Sequence, residues 1–270
     1  DIEYSADFKH IKGQKFAKKA LEIAAAGAHN VLMAGSPGSG KTLLAHAFPS
    51  ILPPLTKEEA IEITKIYSIA GLLDRNNPLI SERPIRAPHH SASAVGIIGG
   101  GSNPKPGEIT LAHRGVLFLD EMPEFPRSVL EVLRQPVEDN EVTISRAQTS
   151  IKYPANFILL GAMNPCPCGF LGDKKIECKC SEFQINRYRG KLSGPLLDRI
   201  DIHLDVARLE TDELLEQDNT AESSADVRKR VAKAREIQLS RYKEERQKGE
   251  NIYTNSELTP KLIKKYCKLT

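Results

Sequence analysis

The stretch AGSPGSGKTLLAHA, residues 34–47, decides the fold. Inside it, Gly35-Ser36-Pro37-Gly38-Ser39-Gly40-Lys41-Thr42 fits the pattern G-x-x-x-x-G-K-[ST]. Glycines let backbone N–H groups converge on phosphate oxygens with no Cβ in the way. A short apolar run, residues 30–35, precedes the loop and a helix-forming run follows it. The loop therefore stands at a strand-to-helix junction, where the helix N-terminus adds partial positive charge. In that setting Lys41 is expected to reach the β- and γ-phosphates of a nucleotide, and the Thr42 hydroxyl to bind Mg²⁺. A chance glycine-rich turn has no reason to be bracketed by a buried strand and a helix.

Outward from the loop, three further positions invite the same chemistry. Residues 115–121, GVLFLDE, place Asp120 at the carboxyl end of four consecutive apolar residues, the pattern of a central parallel strand. Ligands of open α/β sheets bind at such strand ends. Asp120 there can hold Mg²⁺ through water, and Glu121 can activate the attacking water. An isolated Asp-Glu pair would read as a helix cap, but this pair follows a buried strand. A third apolar run, residues 156–165, ends in Asn164-Pro165. The Asn164 amide could orient the lytic water, or it could only make a turn before proline. Arg199, within GPLLDRID at 194–201, reads either as an arginine finger for a neighbouring subunit or as a salt-bridge partner of Asp198 or Asp201.

Strand and helix patterns alternate along the chain. Residues 16–27 read as a helix stopped by glycine, and the segment after Lys41 is helical until Pro49. A helix follows from near Thr56, with Glu58 and Glu59 in its first turn. Residues 84–107 are dominated by glycine, proline and serine, and 96–108 are not expected to be helix interior. A helix ending before Pro136 precedes a β-hairpin over 141–154, and residues 200–206 alternate as an edge strand. From about residue 209 the composition shifts to charged helix. The pattern predicts an α/β domain with a mostly parallel sheet over residues 1–208 and a smaller helical part over 209–270.

The chain of 270 residues is 40% hydrophobic and 27% charged, as in ordinary globular proteins, and its net charge of +3 is too small to argue for nucleic acid. No apolar run is long enough to span a bilayer, and residues 1–10 lack the apolar segment of a signal peptide. Both features predict a cytoplasmic protein with no membrane partner. Five cysteines are present, and Cys166, Cys168, Cys178 and Cys180 form C-x-C-x₉-C-x-C. Four thiolates could close a tetrahedral Zn²⁺ site, although the C-x-C bite is tighter than the common spacing; redox thiols or idle thiols are the other readings. Cys267 stands apart and is expected to be a structural thiol.

The order of phosphate loop, LFLDE, MNP and LLDRID resembles the AAA+ ATPases, specifically their magnesium-chelatase-like branch. The blocks RAPHHSASAVGIIGGG, PKPGEITLAHRGVLFLDEMPEF and QINRYRGKLSGPLLDRIDIHLDV are similar to the bacterial ComM (YifB) competence-related family over nearly the whole chain. The resemblance implies an AAA+ P-loop NTPase core, an ATP-driven and usually hexameric ring, and ATP or ADP with Mg²⁺ as its ligands. It implies a helix-2 insert, a hairpin within about 84–112, facing the ring pore, and a pre-sensor hairpin at 141–153. Asn164 would be sensor 1 and Arg199 the finger acting in trans. Members of the family carry an N-terminal Lon-protease-like domain and an arginine-bearing lid helix, so the resemblance implies that these 270 residues are a fragment with a partial C-terminal lid.

The cysteine cluster separates two functions. Chelatase motor subunits run from NP to LLDR without it, so its presence favours the ComM-like group and, by implication, DNA translocation with branch migration. The alternative is a chelatase-type ATPase that remodels a protein partner. Lys105 in the glycine-rich insert and Arg146 near the hairpin tip could track DNA phosphates, or could be solvated loop charges. The basic run 228–248 is interspersed with Glu236, Glu244 and Glu245 and reads as a solvated helix face.

Overall fold

A computed structural model describes residues 6–74, 76, 78–100, 105–145, 150–173, 175–209 and 221–267. Its centre is a five-stranded sheet in the order β2-β5-β8-β1-β9, formed by Ile85–Arg86, Val116–Leu119, Ile158–Met163, Val31–Ala34 and Ile202–Asp205. Every pairing is parallel; Val31 lies beside Leu160 on one side and Ile202 on the other. All residues of β5 and β8 are buried. Alternate side chains enter opposite cores, Val31 and Met33 on one face and Leu32 on the other. Burial on both faces explains the unbroken apolar runs. Truncating a residue such as Leu160, which is fully buried, is expected to cost about 2–5 kcal/mol.

One face is covered by α1 (Lys15–Gly27), α2 (Lys41–Ala47) and the 3₁₀ turn Phe48–Ile51. The other is covered by short helices: α4 (Ala94–Ile98), α5 (Glu108–Leu111), α6 (Arg127–Val132) and α7 (Arg134–Asp139). Between these regions α3 (Lys57–Ala70) starts from a capping box, Thr56 with Glu59, and ends at Gly71 in left-handed backbone. The hairpin expected at 141–154 is present as β6 (Glu141–Ser145) and β7 (Ser150–Pro154), and its tip with Arg146 lies outside the described residues.

Three expectations change. Residues 84–112 are not all one hairpin, because Ile85–Arg86 pairs with Val116–Leu117 as the edge strand of the main sheet. The separate hairpin is β3 (Gly99–Gly100) with β4 (Lys105–Pro106), and Lys105 is exposed. Gly96 sits inside α4, whose N-cap Ser93 accepts from the Gly96 N–H, so a side-chain cap stabilises a turn that composition disfavours. Pro136 does not end a helix: it lies in the first turn of α7, where its missing N–H costs no helical bond.

After α8 (Glu182–Arg189) and α9 (Gly194–Leu197), the chain forms α10 (Ser224–Arg241), α11 (Lys243–Gln247) and α12 (Pro260–Tyr266). The expected solvated face of α10 is only partly solvated. Val227 and Val231 are buried against the sheet's first core, and Arg235 and Gln238 donate to Ala25 O and Ala26 O at the end of α1. A buried polar knot, Phe8 N and Ser50 Oγ both donating to Ser224 Oγ, fixes the start of α10. Cys267, expected to be structural, is exposed. No helix among the described residues is long and apolar enough to cross a membrane.

Candidate functional site

Parallel strands put all their carboxyl ends on one edge of the sheet, and β1, β5 and β8 deliver the three predicted segments there. The loop after β1 passes so close to the end of β9 that a Cβ on Gly35 would lie 2.3 Å from Val206 O; only glycine fits. Gly40, in left-handed backbone at φ 92°, then turns the chain into α2. Lys41 is 8% exposed, and its Nζ donates to Gly35 O at 2.7 Å and Ser36 O at 3.0 Å. The ammonium thus lies folded over the concave side of the loop. Burial lowers its pKa, and the Asp120 carboxylate opposes that shift.

Thr42 Oγ1 donates to Asp120 Oδ2 at 2.9 Å, although the two residues come from different strand ends. Asn164 Oδ1 lies 3.4 Å from Lys41 Nζ. The structure therefore brings Lys41, Thr42, Asp120 and Asn164 together. An hydroxyl and a carboxylate side by side are hard oxygen ligands of the kind Mg²⁺ takes.

Glu121 follows Asp120 in left-handed backbone, φ 50°, unusual for a residue with a side chain. Its N–H donates to Asp120 Oδ1, and its half-exposed carboxylate pairs with His90 Nδ1 at 3.4 Å. His90 meets Phe125 edge-on and lies against His89. Neither His89 nor His90 stands in a local sequence pattern that points to a role. Only their spatial neighbourhood distinguishes them from loop histidines. Tyr188 of α8 likewise carries no local signal: burial pushes its hydroxyl up to about 12, against a backbone hydrogen bond involving Asn164.

Arg199 lies at the opposite edge. It precedes β9, whose Ile202 and Asp205 pair with Val31 and Ala34. The full length of a strand, more than about 10 Å, therefore separates Arg199 from the phosphate loop. Its Nε and Nη2 donate to Glu138 Oε2 at 2.9 and 2.5 Å, and Nη1 donates to Pro195 O at 3.0 Å. The alternative reading of Arg199 as a salt-bridge partner finds a carboxylate other than Asp198 or Asp201, and Asp201 pairs with His29 at 3.1 Å. Arg199 faces a cleft of about 930 Å³ that also borders Arg83, Arg114 and Glu138.

The cysteines converge. The Sγ atoms of Cys166, Cys168, Cys178 and Cys180 all lie within 4.8 Å of one another. Cys166 is 3.4 Å from Cys168 and 3.6 Å from Cys178, and Cys168 is 3.7 Å from Cys178. Backbone donors, the Phe170 N–H foremost, pull the Cys168 thiol down to about 6. Cys180 receives a backbone hydrogen bond involving Cys168, but burial and the neighbouring sulfurs outweigh it and push the thiol up to about 12. Crowded thiols of this kind resist joint ionisation unless a cation sits among them.

The family model described as magnesium chelatase, subunit ChlI, matches residues 7–214, and that of the ChlI C-terminal region matches 221–270. The chain is 48% identical over 265 residues to the competence protein ComM of Haemophilus influenzae, covering 97% of this chain and 49% of the relative. It is 44% identical over 266 residues to YifB of Salmonella typhimurium, covering 98% and 50%. The chain thus spans about half the length of the curated relatives it matches. A solved complex between subunits BchI and BchD of magnesium chelatase contains a chain of similar fold: TM-score 0.53, 21% identity, covering 87% of this chain and 76% of that one.

Proposed function

The chain belongs to the magnesium-chelatase ChlI family, in its ComM and YifB branch, and from that premise we propose that it is the ATP-hydrolysing motor of a ring. The contact that carries the reading is Thr42 Oγ1 to Asp120 Oδ2, with Lys41 and Asn164 beside it. Residues Gly35, Ser36, Gly38, Ser39 and Gly40 would cradle the phosphates of ATP or ADP by their backbone N–H groups, and Pro37, which has no N–H, would fix the shape of the loop between them. Lys41 exchanges its loop carbonyls for β- and γ-phosphate oxygens. Thr42 and Asp120 would hold Mg²⁺, which would supply positive charge to offset the charge that develops on the phosphates. Glu121 takes a proton from the attacking water, and Asn164 orients that water. Arg199 completes the site of a neighbouring subunit, because its own site lies a strand's length away. Residues 1–208 form the motor core and 209–270 part of a lid.

The same reading assigns Zn²⁺ to Cys166, Cys168, Cys178 and Cys180. Four sulfurs about 2.3 Å from a tetrahedral zinc lie about 3.8 Å apart, close to the thiol separations here.

Two cargoes fit such a ring. The first is DNA, translocated with exposed Lys105 on the small hairpin facing the pore. The second is a protein partner remodelled as in a chelatase. The family match to a ComM protein supports the first. The deciding measurement is ATP hydrolysis by the full-length protein with single-stranded or branched DNA. Stimulation is expected; hydrolysis indifferent to DNA would favour the protein partner. Isothermal titration that finds no Mg-ATP binding to folded protein would remove the nucleotide site altogether.

A further inference from the structure

The cysteine cluster and the phosphate loop are in direct contact, and neither motif predicts it. Gly169, between the two C-x-C pairs, has φ +84°, and a Cβ on it would lie 2.7 and 2.8 Å from Cδ and Cγ of Pro37. That Cβ would also come to 3.8 Å from Cγ of Asn164. Pro37 is the rigid residue of the loop, and a rigid ring can only be pressed, not bent aside. Further along, Asp173 Oδ1 accepts from the N–H groups of Lys175 and Ile176. The Lys175 N–H foremost, with the Ser36 hydroxyl of the phosphate loop among the smaller causes, holds its carboxyl below the usual range. Cys166 itself follows Asn164 by two residues, and Asn164 faces Lys41.

Among the described residues between β8 and α8 there is no helix and no strand. Tight turns, Gly169 N to Cys166 O and Asp173 N to Phe170 O, are its internal backbone bonds. Such a segment cannot hold a fixed position by its own hydrogen bonding. The four sulfurs, within 4.8 Å of one another, meet where its two ends come together. The phosphate loop is tied by Gly35 N to Met163 O, Ser39 N to Ser36 O and Gln14 Nε2 to Ser39 O, and by Lys41 Nζ to Gly35 O and Ser36 O, the two bonds that Lys41 would give up to a phosphate. Pro37, at the crest, has Gly169 against it.

We propose that the cysteine segment is a buttress of the phosphate loop: metal held by the four thiolates fixes Gly169 against Pro37 and so keeps the loop shaped for nucleotide. The proposal rests on the zinc reading above. Its consequence is linkage, since metal and nucleotide must then strengthen each other's binding by the same factor.

The test uses the full-length protein as purified, with zinc measured by elemental analysis and Mg-ADP affinity measured by a fluorescent ADP analogue. Removing zinc with a thiol-specific mercurial, then a chelator and reducing agent, should weaken nucleotide binding about tenfold or more. Adding zinc back should restore it, and saturating Mg-ADP should slow zinc loss. Gly169→Ala should keep one zinc per chain yet weaken nucleotide comparably, because the added methyl displaces Pro37. Cys267→Ser should change neither quantity. Should Gly169→Ala fail to fold, the reversible removal of zinc and Asp173→Ala, which loosens the same segment, remain as independent readouts. Four freely reactive thiols and no metal in folded protein would overturn the zinc reading. Zinc present, but with nucleotide affinity unchanged on its removal, would overturn the buttress and leave the zinc site standing.

Discussion

At the carboxyl edge of the sheet, opposite charges meet within one chain; at the amino edge, Arg199 is matched only to a surface glutamate. Lys41, Thr42, Asp120 and Asn164 come from three neighbouring strand ends and already touch. Arg199 is held by Glu138 and by Pro195 O, a strand's length from the phosphate loop. Parallel strands explain both facts. They gather the residues that follow each strand at one end of the sheet and leave those that precede it at the other. The first region is gathered within one chain, and the role proposed for the second can be tested only in an assembly.

The largest expected effect lies at the complete end. Lys41→Ala removes the ammonium proposed to face the phosphates and should abolish Mg-ATP binding by isothermal titration while the protein still melts cooperatively. Glu121→Gln should retain that binding and stop turnover, which separates binding from chemistry at the same edge. Equal loss of binding in both variants would break the division of roles.

Next comes the amino edge. In the full-length ring, Arg199→Ala should reduce ATP turnover on the order of a thousandfold while leaving nucleotide affinity almost unchanged. Mixed rings of Arg199→Ala and Lys41→Ala subunits should regain some turnover, because some junctions pair a working loop with a working arginine. Mixed rings that form and stay inactive would reduce Arg199 to the partner of Glu138.

A third prediction separates the edges by pH. His113 lies just before β5, at the amino edge, with 3% of its surface exposed. Its Nδ1 accepts from Asn156 N–H at 3.1 Å, so its Nε2 carries the proton that faces Glu62 at 3.2 Å. Burial, reinforced by the Arg114 charge and against the pull of Glu62, lowers its pKa to about 4. The unfolded chain binds this proton near pH 6.5 and the folded chain only near 4. Stability is therefore fully present above pH 6.5 and falls as pH drops through that window, by up to about 3 kcal/mol. Urea midpoints at pH 7 and pH 4.5 should show the loss, and His113→Gln should flatten it. An equal slope in both proteins would assign the loss to other groups.

The smallest effect concerns Glu138. Its pairing with Arg199 is partly exposed, and Glu138→Gln should change stability by less than about 1 kcal/mol. Nucleotide affinity should not move. A larger loss of stability would mean that Arg199 is held there for structural reasons.

Much of this arrangement was legible in local patterns. The phosphate loop, the buried strand ending in Asp120-Glu121, the 141–154 hairpin and the Thr56 helix start all depend on neighbours within a few residues. Composition misled at Gly96, where one Ser93 cap reversed a weak propensity, and at Pro136, where position in the helix mattered more than residue type. Ile85–Arg86 was missed as a strand because two residues carry no periodicity; pairing with β5 alone makes them one.

The sequence by itself determined the α/β order, the phosphate loop and the residue types available for metal and nucleotide, because backbone conformation and burial period are written over short spans. Tertiary structure alone decided which of those residues meet. Arg199 finds Glu138 sixty-one positions away, Glu121 meets His90, and Gly169 is pressed on Pro37. Such contacts are set by how strands are ordered in the sheet and where their loops emerge, and distant side chains leave no mark on one another's local pattern.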